Sequence, residues 1–461
     1  MRARQILMVL WAGLCVLVVL ACESGSDAQE SGSSTEGVSA DAPVVATPAA
    51  PVAGRRIEPQ QLVYQGAFRL PDGPDEYAWG WSGQGLAYRP DGDAEGEDDG
   101  YGGSLFGTGH NWNTWVSEVS IPRPIVSPTR NLDELNTAAT LQPFADIRGG
   151  LYEGRDLEQP RVGLAYLPAQ GEQTSAKLYF SWAAHMGQGE KEPTHGWCEP
   201  DLSDPKPAGL WSIAGLDQYL TCDYITTVPR SWADANTPGM YLATGRMRDG
   251  GQASQGPTLI AYGPWNQGNP PAAGAELPGT VLLRYSAITD EQQHTLNGYA
   301  HSDDWSGVAW LDVGGRSAVV FVGTKGVGKC WYGFANGVVW PEEGPYPPVP
   351  EYPNDQRGWW SERFVPQIML YDPADLAAVA AGKAQPREPQ PYAVIDIEEL
   401  MYRRPERPDM HRVGAAAADN ERGLLYVLEL RGDGDKSLVH VWKFVGGRQG
   451  GQADTPDVPE L

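Results

Sequence analysis

Short apolar runs recur along this chain in a fixed order, set off by Gly, Pro and acidic residues. Gly85-Leu86-Ala87-Tyr88 and Gly163-Leu164-Ala165-Tyr166 are identical tetrapeptides 78 residues apart. Gly307-Val308-Ala309-Trp310 follows after 144 residues, about two such units, and Gly414-Ala415-Ala416-Ala417 ends the series. A diverged copy is therefore expected in the gap, and Asp223-Tyr224-Ile225-Thr226-Thr227-Val228-Pro229 fits the place. Behind each phrase stands a second apolar run: Leu105-Phe106-Gly107-Thr108, Leu178-Tyr179-Phe180-Ser181, Met240-Tyr241-Leu242-Ala243-Thr244, Val319-Val320-Phe321-Val322-Gly323 and Leu424-Leu425-Tyr426-Val427. Third runs follow at residues 116–121, 209–213, 258–262, 367–371 and 438–444, and fourth runs at 141–147, 281–285 and 392–397. Short runs rich in β-branched and aromatic residues, bounded by turn formers, predict strands. One helix is expected over residues 375–381, with Asp372 or Asp375 as cap and Gly382 just past its end.

The second unit shows no clear fourth run, and the last has none before the chain ends. Leu62-Val63-Tyr64-Gln65-Gly66-Ala67-Phe68, upstream of the first unit, could supply the missing strand. Four strands per unit, with an N-terminal strand completing the last, is how propellers close their ring and remove exposed edges. The pattern resembles β-propellers in general, without pointing to a characterised enzyme family. It predicts an all-β domain: a single propeller of five four-stranded blades, with six blades as the alternative and a two-sheet sandwich with insertions as the rival fold. Composition agrees, since 56 Gly, 39 Pro, 17 Trp and 20 Tyr against 8 Met suit short strands and many turns.

The N-terminal region reads differently. Arg2 and Arg4 precede an apolar run at residues 6–21, the layout of a secretory signal and too short for a stable span. It ends at Val19-Leu20-Ala21-Cys22, which resembles the lipobox of bacterial lipoproteins, with Val19 where Leu is commoner. The resemblance implies export, lipidation of Cys22 and anchoring in the cell envelope, at the outer membrane in a diderm cell. Residues 22–54 are small, polar and Pro/Ala-rich, too poor in large apolar groups to offset ordering entropy, and read as a disordered tether. The expected layout is a signal at 1–21, the tether, a propeller at 55–446 and a disordered tail at 447–461.

Charge narrows the partners. The formal net charge is −25, and losing Arg2 and Arg4 leaves 32 basic against 59 acidic residues, a surface that repels phosphate backbones and excludes nucleic acid. In an oxidising compartment thiols tend to pair, so Cys198–Cys222 is the expected disulfide and Cys330 is left over. Zinc has little support, because no CxxC or HxxxH occurs. Residues 91–99 begin like an EF-type calcium loop but have Gly102 where the bidentate acid belongs, and a solvated acidic turn is the expected reading.

In a propeller, the segments before first strands and after second strands share one face around the channel. His110, His185, Arg246, Lys325 and Arg431 follow second strands; Ser82, Arg161, Asp304, His411 and Arg412 precede first strands. The segments expected to leave second strands are long at 183–208, 246–256 and 325–366, and they carry Trp197, Trp331, Trp340, Trp359 and Trp360, suited to stacking on sugars. Arg161, Arg246, Lys325 and Arg412 could neutralise a uronate or other carboxylate. His110, His185 and His411 could converge to move a proton or hold a divalent metal, with Asp304, or Asp304 and Glu429, as acid and base. The same groups could equally be solvated channel residues. No GxSxG, P-loop or GxGxxG before a helix occurs. Three functions follow: an envelope protein binding a carbohydrate or small anionic ligand, a carbohydrate-active lyase or hydrolase, or a protein-interaction scaffold.

Overall fold

The computed structural model describes residues 56–446, apart from 76–77, 94–95, 97–99, 159–160, 186, 188, 248–253, 289–292, 353 and 404–411. Cys22, the signal, the tether, the C-terminal tail and His411 lie outside the described residues.

The chain forms a five-bladed β-propeller. Blade 1 comprises Leu86–Arg89, Ser104–Thr108, Val116–Ser120 and Thr140–Ala145. Blade 2 comprises Gly163–Leu167, Lys177–Ser181, His195–Cys198 and Ala208–Ile213, and blade 3 Tyr224–Thr227, Leu242–Gly245, Leu259–Tyr262 and Gly279–Leu283. Blade 4 comprises Asp304–Val313, Arg316–Phe334, Arg357–Tyr371 and Ala393–Asp396. Blade 5 takes Val413–Asp419, Leu424–Asp433 and Lys436–Phe444 from the C-terminal end and its outer strand, Leu62–Arg69, from the N-terminal end.

That outer strand pairs antiparallel with Lys436–Phe444 from Leu62↔Phe444 to Arg69↔Leu438, so ends of the domain almost 400 residues apart close the ring. Apolar side chains collect in five layers, one between each pair of neighbouring blades. The aromatic content goes there: Trp310 and Tyr371 pack between blades 3 and 4, Trp197 and Trp211 between blades 2 and 3, and Phe68 and Tyr426 between blades 5 and 1. Five blades leave a narrow axis. First-strand residues Leu86, Leu164, Ile225 and Ala416 line it, leaving a hollow of only about 30 Å³.

Two strand assignments differ from expectation. Ala208–Ile213 is the fourth strand of blade 2, not its third; the third is His195–Cys198, inside the stretch expected to be a loop. His-Gly-Trp-Cys is only four residues long and carries no apolar alternation, so neighbouring backbone, not pattern, makes it a strand. In blade 4 the expected loop at 325–366 is mostly a hairpin, with pairing that continues to Phe334↔Arg357. Gly and Lys in Lys325-Gly326-Val327-Gly328-Lys329 hid it. The expected helix is α2, Pro373–Ala380, capped by the Asp372 carboxylate accepting from the Ala374 N–H. A further helix, α1 at Arg230–Asn236, was not foreseen; the Trp232 indole N–H donates to the Pro373 carbonyl and ties blade 3 to α2.

Candidate ligand-binding face

The second strands of blades 1 and 3 end alike, in Thr108-Gly109-His110 and Thr244-Gly245-Arg246. The threonines are fully buried and bond locally: the Gly85 N–H donates to Thr108 Oγ1, and Thr244 Oγ1 donates to the Tyr224 carbonyl. Thr324 does the same service in blade 4 by accepting from the Val413 N–H of blade 5. These hydroxyls fix the strand ends.

Charged side chains from four blades meet at the channel mouth. Asp304 of blade 4 accepts from Arg161 of blade 2 (Nη2 to Oδ2 3.1 Å) and from Arg412 of blade 5 (Nη1 to Oδ2 3.3 Å), while Ser306 donates to its other oxygen. Asp223, before the first strand of blade 3, accepts from Arg246 Nη1 at 3.2 Å and from the Met247 N–H at 3.0 Å. Burial opposes the charge on Arg161, but Asp304 and Asp223 outweigh it and hold the guanidinium above its ordinary range. Arg246 behaves likewise, with Asp223 the main opposing charge, and its guanidinium lies 4.1 Å from the Tyr219 ring centre. The same cluster extends to Glu158, which accepts from Tyr219 Oη at 2.6 Å and lies 3.9 Å from Arg246 Nη2.

His185 Nδ1 stands 3.1 Å from Glu158 Oε2, and its side chain is half exposed. Burial favours the neutral form of Glu158, yet Tyr219, Arg246 and His185 together hold its carboxyl below the usual range. The His185 N–H also bonds the Asp156 carbonyl, at the end of an open cleft of about 480 Å³ lined by Arg148, Glu153 and Arg155. Lys325 pairs with the buried Asp303 carboxylate, next to Asp304 in sequence, Nζ to Oδ1 2.7 Å.

The sequence-predicted groups thus divide. Arg161, Asp304, Arg412 and Arg246 come together. His110 and His185 stand in different places: His110 lines a separate cavity of blade 1 and its Nδ1 accepts from the Trp112 N–H at 3.1 Å, whereas His185 faces Glu158. Among the described residues no group of three or more His, Cys, Asp or Glu is arranged to hold a metal ion. Glu429 does not pair with Asp304; it is buried and accepts from His440 Nε2 and the Tyr402 and Arg403 N–H groups. Trp197 is not a face residue but core, only 2% exposed and edge-on to Trp211 and Tyr179, because it belongs to the unforeseen strand. Trp331 sits on the blade 4 hairpin opposite Trp360, while Trp359 stacks on His301 with centroids 4.3 Å apart.

The expected Cys198–Cys222 disulfide is not formed, and both thiols are buried and free. Cys198 packs between blades 1 and 2, whereas Cys222 faces Arg246 Nη1 at 3.3 Å and Asp223. Cys330 is also free and half-buried. In the acidic run, Asp91 accepts from Tyr166 Oη and Arg89 Nε.

Sequence reasoning missed Asp223, Glu158 and Tyr219. Asp223 had a signal: it stands just before its blade's first strand, as Arg161 and Arg412 do before theirs. Glu158 and Tyr219 lie in connections with no repeat register, and only the fold brings them together. No protein-family model matches the chain, and comparison with curated proteins finds no match.

Proposed function

We infer that this propeller binds a carbohydrate bearing a carboxylate, at the channel mouth, and that it does so in the cell envelope from a lipid anchor at Cys22. One observation carries the reading: Arg161, Arg412 and Arg246 are brought from three blades around a polar mouth whose floor is sealed by apolar side chains. Of the three, Arg412 is the most accessible, with 36% of its side chain exposed, and it shares the Asp304 carboxylate with Arg161. A guanidinium can engage a carboxylate bidentately, and if Arg412 turns to a ligand, Arg161 and Ser306 still hold Asp304. The charged cleft beside His185 offers length for an oligosaccharide, and the hairpin aromatics offer stacking surfaces. The net negative charge of the chain gives an anionic ligand no long-range attraction, so the affinity rests on short-range fit.

The test is calorimetric titration of the protein with oligouronates and with neutral oligosaccharides of equal length. Preferential binding of the oligouronates supports the reading; equal binding, or none, contradicts it. The Glu158–His185 pair favours a second reading, acid–base chemistry on the same ligand, because a carboxylate that orients an exposed imidazole is how a general base is held. Release of unsaturated or shortened products, lost in His185→Gln with oligouronate binding intact, would separate this reading from binding alone.

A further inference from the structure

Between the two long strands of the blade 4 hairpin runs Tyr346-Pro347-Pro348-Val349-Pro350-Glu351-Tyr352, a segment that forms neither helix nor strand. Proline restricts its backbone twice over. The ring fixes φ at about −65° at Pro347, Pro348 and Pro350, and clash with the next proline keeps Tyr346, Pro347 and Val349 extended. Polyproline II meets both restrictions: a left-handed helix of about three residues per turn with no internal hydrogen bonds.

Burial follows that period. Pro347 and Pro350 are partly covered, whereas Tyr346, Val349 and Tyr352 are 56%, 62% and 83% exposed. At this spacing the three exposed side chains form one apolar ridge along the segment. Among the described residues, no hydrogen bond or ion pair engages residues 341–350.

The ridge stands on a braced stem. The Trp340 N–H donates to the Tyr332 carbonyl at 2.8 Å, and the Trp360 indole N–H to the Gly333 carbonyl at 3.1 Å. Tyr346 stacks on Trp340 with ring centres 4.8 Å apart, and the Arg357 guanidinium lies 4.4 Å from the Trp340 centre. One end of the segment is therefore held and proline stiffens the rest, which leaves little conformational entropy to lose on binding. The stretch from Glu342 to Asp355 also contains four acidic residues and no Lys or Arg.

We propose that this ridge docks a partner protein, in a groove walled by aromatic side chains and flanked by Lys or Arg. Apolar residues on one edge of a polyproline II helix fit the slots between aromatic rings, and its unused carbonyls accept hydrogen bonds from the groove. The acidic stretch sets the sign of the groove's rim. A glycan fits less well, because three of the seven residues lack a backbone N–H to offer its hydroxyls. The ridge uses no channel-mouth residue and does not depend on carboxylate binding there.

Photo-crosslinking in cells that make the full chain tests the proposal. Benzoylphenylalanine replaces Val349 or, as a control, Val126, which is 55% exposed between the third and fourth strands of blade 1. A discrete adduct is expected from position 349 and not from 126, and mass spectrometry should map it to a partner segment bearing aromatic and basic residues. In freshly broken cells a synthetic peptide of residues 342–352 should suppress the adduct, and a scrambled peptide should not. Tyr352→Ala, at an exposed position, should lower the yield about tenfold, as loss of an aromatic anchor does. No adduct at 349, equal adducts at both positions, or an unaltered yield in Tyr352→Ala overturns the proposal. So does an adduct with lipid, glycan, a second copy of this chain, or a partner segment lacking aromatic or basic residues, and so does equal suppression by the scrambled peptide.

Discussion

Replacing Phe68 by Ala probes ring closure at a single side chain. Phe68 lies on the N-terminal strand opposite Val439 and is completely buried between blades 5 and 1, beside Tyr426 and Val441. Truncating a fully buried Phe to Ala costs about 3–5 kcal/mol, the sum of lost transfer energy and the cavity left behind. This layer has little freedom to collapse, because the strands on both sides are fixed by their own ladders, so the upper half of the range is expected. The control is Val63→Ala on the same strand: Val63 is 42% exposed, and such a change falls within about 0.5 kcal/mol. Urea denaturation followed by tryptophan fluorescence should show the midpoint of Phe68→Ala falling at unchanged slope, while Val63→Ala overlays the wild type. If Phe68→Ala cost no more than Val63→Ala, the N-terminal strand would not be part of the cooperative fold, and the closure would be wrong.

Asp304→Asn leaves Arg161 and Arg412 without their shared carboxylate and should cost about 1–3 kcal/mol in the same assay, whereas an unchanged midpoint would show the cluster contributes nothing. Because Glu158 has a folded pKa below its unfolded value of about 4.3, its contribution is complete above that pH and lost as pH falls through the folded value. Tyr219→Phe removes a stabilising hydrogen bond and should raise the Glu158 pKa, moving that acid loss to higher pH; carboxyl chemical shifts against pH report it. Native alkylation should reach Cys330 but not Cys198 or Cys222, whose thiols burial pushes up, and dithiothreitol should leave Tm unchanged; mass spectrometry after denaturation that finds a Cys198–Cys222 bridge would refute this. Cys22→Ala should move the protein from the membrane fraction to the soluble one, since each buried CH₂ of an acyl chain contributes about 0.8 kcal/mol to anchoring.

How far the sequence could be read depended on which physical signal carried each feature. First strands were legible because each packs at the crowded axis, where Gly85, Gly163, Gly307 and Gly414 precede small or aliphatic residues in phase. The closing strand was legible from an arithmetic gap, an apolar run too early for blade 1 and a last blade one strand short. His195–Cys198 was not, because a four-residue strand holding His and Gly has no period to detect. The site followed the same division. Arg161, Asp304, Arg246 and Arg412 could be named because strand ends set their place, while His110 and His185 follow equivalent strand ends yet part ways, since side-chain direction beyond a strand end is set by the loop. The mistaken disulfide came from compartment alone, which contains no distance.

Carboxylate binding at the channel mouth, as proposed, runs through Arg412. Calorimetric titration of an oligouronate into wild type, Arg412→Gln and Arg230→Gln measures it directly, with Arg230 as the control because it is an exposed arginine on α1 with no part in the cluster. Loss of one guanidinium–carboxylate contact, worth about 1.5–3 kcal/mol, should weaken binding at least tenfold in Arg412→Gln and leave Arg230→Gln at the wild-type value. Equal affinity in all three proteins, or equal weakening in both variants, would contradict it.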